Sequence, residues 1–106
     1  MAPHLVNWDD MALRETGPGV GKRVIDGAGV TLVMVHVAAG VAAPRHEHDH
    51  EQFVQVVSGS GTLETEQGRR GFAAGSVFHL PAGAWHAAQF DTATVLIESN
   101  LGAGAG

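Results

Sequence analysis

The sequence has no cysteine, which excludes disulfides, thiolate metal sites and thiol nucleophiles. Positive charge is scarce too: six Lys and Arg against eleven Asp and Glu leave a net charge of -5. Only Lys22-Arg23 and Arg69-Arg70 form basic pairs. Nucleic-acid binding needs clustered Lys and Arg against phosphates, so no nucleic-acid partner is expected. No apolar run approaches the ~20 residues of a membrane-spanning helix, so no membrane partner is expected either. The first ten residues carry neither a basic n-region nor an apolar h-region, which predicts a cytoplasmic protein. Aromatics are few, four Phe and two Trp. Glycine is plentiful, fifteen in 106 residues, beside a hydrophobic content of 44%. That combination describes a globular chain with many tight turns around a Val, Ala and Leu core. The length fits one domain. Seven histidines are the compositional oddity, and three of them fall within five residues.

The chain divides into a leader (1–21), a barrel (22–99) and a flexible tail (100–106). The leader holds one short helical turn over 8–14, with Asn7 or Asp9 as cap, ended by Gly17-Pro18-Gly19. From Lys22 onward, β-prone runs at 23–25, 30–38, 52–57, 61–66, 71–73, 77–80, 85–90 and 94–98 alternate with Gly- and Pro-bearing turns. Such spacing predicts an all-β sandwich or barrel. The run at 30–37 is apolar on both parities, as for a strand covered on both faces, whereas 61–66 alternates like an outer strand. The Gly/Ala string at 101–106 has nothing to anchor it and is expected to fray.

The chemistry concentrates in Gly40-Val-Ala-Ala-Pro-Arg-His46-Glu-His48-Asp-His50-Glu51-Gln52. Residues two apart on a strand share a face, so His46 and His48 point together and Gln52 shares their parity. Two imidazoles so placed can share one metal ion, with a side-chain oxygen completing the set. Glu51 is the other oxygen donor, reached through a bulge. In Gly75-Ser-Val-Phe-His-Leu-Pro81-Ala-Gly83-Ala-Trp-His86, His86 follows a Pro-x-Gly turn at the start of a strand. A neighbouring strand there would deliver a third imidazole. A His-rich run alone also suits a solvated loop; the second segment argues against that.

These two segments resemble the two motifs of the cupin superfamily. The first motif is Gly, five residues, His-x-His, three or four residues, Glu, six residues, Gly. Gly40, His46, His48 and Gly59 match it, and counting from either end reaches Gln52 rather than Glu51. In the second, Gly75, Pro81, Gly83 and His86 match in register, with Phe90 where Asn is usual. The resemblance implies an antiparallel β-barrel or jelly roll. It also implies one divalent transition metal (Fe, Mn, Ni, Zn or Cu) held by His46, His48, Gln52 and His86. Four neutral ligands would leave the ion its full charge, a stronger Lewis acid than a carboxylate-bound one.

The fragment His-x-His-x-His-Glu-Gln, together with Trp8 and Gly-Val-Gly-Lys-Arg-Val at 19–24, resembles the small pectin-degradation cupins. That family promotes conversion of cyclic unsaturated uronates to their linear keto form. Its C-terminal Asp and Phe fall about at Glu98 and Asn100, and its following Arg is absent. Lys22, Arg23 or Arg45 would have to supply the cation that meets a uronate carboxylate.

The expected activity is therefore a metal-dependent isomerisation, ring opening or elimination on a small oxygenated substrate. The alternatives are an Fe-type dioxygenase and a non-catalytic metabolite binder. Glu98 is the expected general base if it faces inward with Thr94 and Leu96; otherwise it ends its strand in solvent. His36 either lines the barrel with Leu32 and Met34 or is hydrogen-bonded core. His50 sits on a turn behind the ligands, His79 is placed by strand geometry, His4 is at the surface, and Trp8 packs or makes a dimer contact. Met34, Phe53, Val54, Val56, Phe78 and Leu96 are core candidates. Exposed edges, an apolar N-terminal half and the habit of cupins predict a homodimer.

Overall fold

The computed structural model describes residues 3–102. A 3-10 turn (Trp8–Asp10) precedes ten strands: β1 (Arg14–Gly17), β2 (Val20–Asp26), β3 (Val30–Val37), β4 (Ala42–His46), β5 (Gln52–Ser58), β6 (Ser60–Thr65), β7 (Gly68–Ala73), β8 (Val77–Leu80), β9 (His86–Phe90) and β10 (Thr94–Leu101). They form a six-stranded sheet, β1-β2-β3-β10-β5-β8, and a four-stranded sheet, β4-β9-β6-β7. Every pairing is antiparallel. The all-β jelly roll expected from the sequence is the fold observed.

The pleat decides what enters the core. On β3, burial strictly alternates, with Val33, Val35 and Val37 buried and their neighbours half-exposed. On β5 the inward set is Gln52, Val54 and Val56. Register then sets β10: Leu96 lies opposite Val35 and Val56, and Glu98 opposite Val33 and Val54. Phe72, Phe78 and Phe90 close the other side, Phe72 meeting the other two edge-on at 5.2 and 5.7 Å between centroids. Phe90 thus fills with a ring the position where the cupin motif usually has Asn.

Several expectations about boundaries and faces are corrected. The six-stranded sheet begins at Arg14, inside the expected leader, because Arg14–Gly17 pairs through its backbone with β2. The helical turn shrinks to Trp8–Asp10, and Asn7 makes no side-chain cap. At the other end β10 runs on through Leu101, with Asn100 paired to Thr31 and Gln52, so 100 and 101 belong to the sheet and not to a tail. The expected fraying at 103–106 lies outside the described residues. The strand expected to be outer, β6, lies between β9 and β7. Met34 and Phe53 are only half-buried on the outer faces, not core.

Candidate metal and active site

β4 ends at His46, directly opposite His86 on β9, after a register shift between Ala43 and His46. His48 follows in the loop. The second motif fastens that loop: the Gly83 N–H donates to the His48 carbonyl at 2.7 Å. Gly83 has φ 81°, left-handed backbone that suits glycine. The ligand atoms of His46, His48 and His86 lie within 4.8 Å of one another. Nitrogens on one ion at ~2.1 Å are at most ~4.2 Å apart, so an inward turn of the rings would bring them onto one metal.

Each outer ring is oriented from behind. His46 Nδ1 donates to the Pro44 carbonyl at 2.8 Å, and His86 Nδ1 to the Ala84 carbonyl at 3.3 Å. A carbonyl can only accept, so Nδ1 carries the proton and Nε2 keeps its lone pair in both rings. Burial, then the neighbouring imidazoles, pushes the pKa values of His48 and His86 below the usual histidine value. Their neutral, metal-competent form is favoured.

Gln52 reaches the same cavity from the opposite sheet and is 4% exposed. Its Nε2 donates to Asn100 Oδ1 at 2.8 Å, which leaves the carboxamide oxygen uncommitted for a cation. His50 Nε2 donates to the same Asn100 oxygen at 3.2 Å, so it acts behind Gln52 through Asn100. The sequence resemblance placed Asn100 near the family's C-terminal Phe and gave it no orienting role; its contacts with Gln52 and His50 supply one. Glu51 is elsewhere, paired with His79 at 2.6 Å, and His79 stacks on Phe53 at 4.5 Å.

The three histidines, Gln52 and Glu98 line a cavity of about 90 Å³ walled by Val54, Phe78, Leu80, Phe90 and Leu96. Glu98 faces inward, as the first of the two sequence readings had it. Burial raises its pKa; the Lys22 charge, a hydrogen bond from Asn100 and the imidazoles of His46 and His50 oppose the shift. A wider cavity of about 390 Å³ shares His46, Phe90, Leu96 and Glu98 and extends to Lys22 and Pro18. His36 takes no part. It shares its face with Leu32 and Met34, but that face is the outer one, where Arg23 Nη1 meets His36 Nε2 at 3.0 Å. His4 is exposed and Trp8 half-buried.

Two antiparallel sheets closing over three convergent histidines define a cupin-type barrel. The cupin domain family matches residues 33–98, more than half of the sequence, and the chain belongs to that family. Among solved structures, an RmlC-like cupin from Shewanella frigidimarina superposes with a TM-score of 0.89 over 97% of this chain and 94% of that one, at 21% identity. KdgF from Halomonas sp. gives 0.79 over 86% and 88%, at 23% identity. A predicted oxalate decarboxylase from Thermotoga maritima gives 0.81 over 92% and 98%, at 12% identity. At these identities the likeness is one of fold. No curated protein sequence matches the chain.

Proposed function

We propose that this cupin is a metal-dependent enzyme acting on a small oxygenated substrate, a sugar acid or keto–enol compound, by isomerisation, ring opening or elimination. The observation that carries the reading is that three convergent histidines and an inward carboxylate line one cavity. His46, His48, Gln52 and His86 are the residues assigned to hold one divalent transition-metal ion. Such an ion supplies Lewis acidity toward a carbonyl or hydroxyl oxygen of the substrate. The four donors are neutral and offset none of its charge.

Glu98 is assigned the proton transfer. Its raised pKa brings it closer to neutral pH, where a carboxylate both takes and returns a proton readily. It removes a proton from the carbon adjacent to the polarised carbonyl group. In an isomerisation it delivers that proton to the neighbouring position, and in an elimination to the departing oxygen. The apolar wall of Val54, Leu80 and Leu96 keeps bulk water from competing.

His48→Ala tests the assignment. Protein purified without an affinity tag should carry one ion per chain by elemental analysis. The variant should lose it, with metal affinity down more than ~100-fold, beyond the range of ligand-orienting residues. Unchanged stoichiometry in the variant would overturn the site. Turnover that persists without O₂ separates this chemistry from a dioxygenase.

A further inference from the structure

We infer that the wider cavity beside the histidines receives a small carboxylate-bearing substrate, and that Lys22 is the residue that selects the substrate for its charge. This inference rests on the proposed enzyme reading and names its substrate class.

The assignment follows from where each cation of the chain is placed. There are six Lys and Arg residues. Arg14 is exposed on the edge strand β1, and Arg69 and Arg70 are exposed on β7, Arg69 held by Glu64 at 3.1 Å. Arg23 points to the outer face, where it donates to the Met11 carbonyl and meets His36, each at 3.0 Å. Arg45 lies over the Trp85 ring at 3.9 Å, on the parity opposite to His46. Lys22 alone among them lines a cavity that also contains His46 and Glu98.

The pleat explains why. Lys22 pairs with Val35, whose side chain is buried in the core, so the lysine projects from the inner face of the six-stranded sheet. It is half-buried, and among the described residues it forms no ion pair, with Glu98 or with any other acid. Val20, Val37 and Val41 line the same cavity. A lysine tucked beside apolar walls without a fixed counter-ion attracts an anion more strongly than one in open water.

The charge balance points the same way. Among the described residues, Lys22 and Glu98 are the only Lys, Arg, Asp or Glu side chains lining the two cavities. Even with Glu98 ionised their charges only cancel, so a divalent ion on neutral ligands would leave the cavity positive inside a chain of net charge -5. A monoanion relieves that excess. About 390 Å³ accommodates roughly a dozen non-hydrogen atoms at the ~30 Å³ of a liquid water each. The ligand class is therefore a compact hydroxy or keto acid, with its carboxylate toward Lys22 and its reacting carbon toward Glu98.

The test uses two carboxylates, lactate and D-gluconate, each against its neutral amide. Binding is measured by calorimetry on metal-free and Zn(II)-loaded full-length protein. At least one carboxylate should bind about tenfold or more tightly than its amide, as a charge-assisted hydrogen bond requires. Lys22→Met should abolish that preference and Lys22→Arg should keep most of it, with Zn(II) stoichiometry unchanged in both. A wild-type chain that prefers neither carboxylate, or a Lys22→Met variant that retains the preference, overturns the inference. A chain that takes up no Zn(II) yet prefers the carboxylate through Lys22 overturns the metal reading instead and leaves this one standing.

Discussion

Glu98 concentrates the functional tension of the molecule in one side chain. It sits between Val33 and Val54 on the inner face, an environment that disfavours its charge, yet its proposed task requires that charge part of the time. Its pKa is raised on folding, chiefly by burial. The folded state therefore binds the proton more tightly than the unfolded chain. Stability from this group is fully present below the unfolded pKa and is lost as pH rises through the folded one. Glu98→Gln removes the titration. In the metal-free protein the variant should melt a few degrees above wild type at pH 7, with the gap closing toward pH 4. Turnover should fall by ~10²–10⁴-fold, the usual worth of a positioned acid–base group. Thermal melts across pH and a rate assay check both halves, and a variant less stable than wild type at pH 7 would contradict the sign.

At the scale of strands and turns, the motif glycines do much of the placing. Gly59 joins β5 to β6 with φ 97°, and a Cβ there would come within 2.6 Å of the Ala93 carbonyl oxygen and of Thr94 Cα. Thr94 is fully buried and cannot yield. Gly59→Ala should cost about 2–4 kcal/mol from backbone strain and overpacking together. That lowers Tm by about 10 °C or more, with metal affinity of the folded fraction unchanged. Calorimetry with metal titration reads both. Turn chemistry of this kind was legible in the sequence, because Gly40, Gly59, Gly75 and the Pro81-x-Gly83 turn fix where strands begin and stop. What was not legible was the choice of face on β3. Its residues are apolar at both parities, so hydrophobicity could not say whether Val35 or His36 looks inward; pairing with β2 and β10 decides it. The same cross-strand register turns Glu98 inward, which no local pattern required. Alternation in the sequence of β6 suggests an outer position, but alternation reports one wetter face and not a place at the sheet's edge. β1 was missed because Arg-Glu-Thr-Gly has no apolar period, and only backbone pairing with β2 makes it a strand.

In the whole molecule, the candidate ligands come from both sheets. His46 and His86 belong to the four-stranded sheet and Gln52 to β5 of the six-stranded one, with His48 in the loop between them. One ion on all four would cross-link the two sheets at a cavity whose walls, Phe78, Phe90 and Leu96 among them, belong to the hydrophobic core. An ion that binds the folded chain alone stabilises it by mass action, about 4 kcal/mol at a thousandfold excess over Kd. For a domain of this length each kcal/mol moves Tm by at least ~4 °C, so saturation with Zn(II) should raise Tm by about 15 °C over protein stripped with EDTA. The increment should vanish in His48→Ala and shrink in Gln52→Ala, which keeps the three imidazoles but releases the tie to β5. Equal melting temperatures for the loaded and stripped wild-type protein would mean that the sheets are held by packing alone and that the histidines do not grip a common ion.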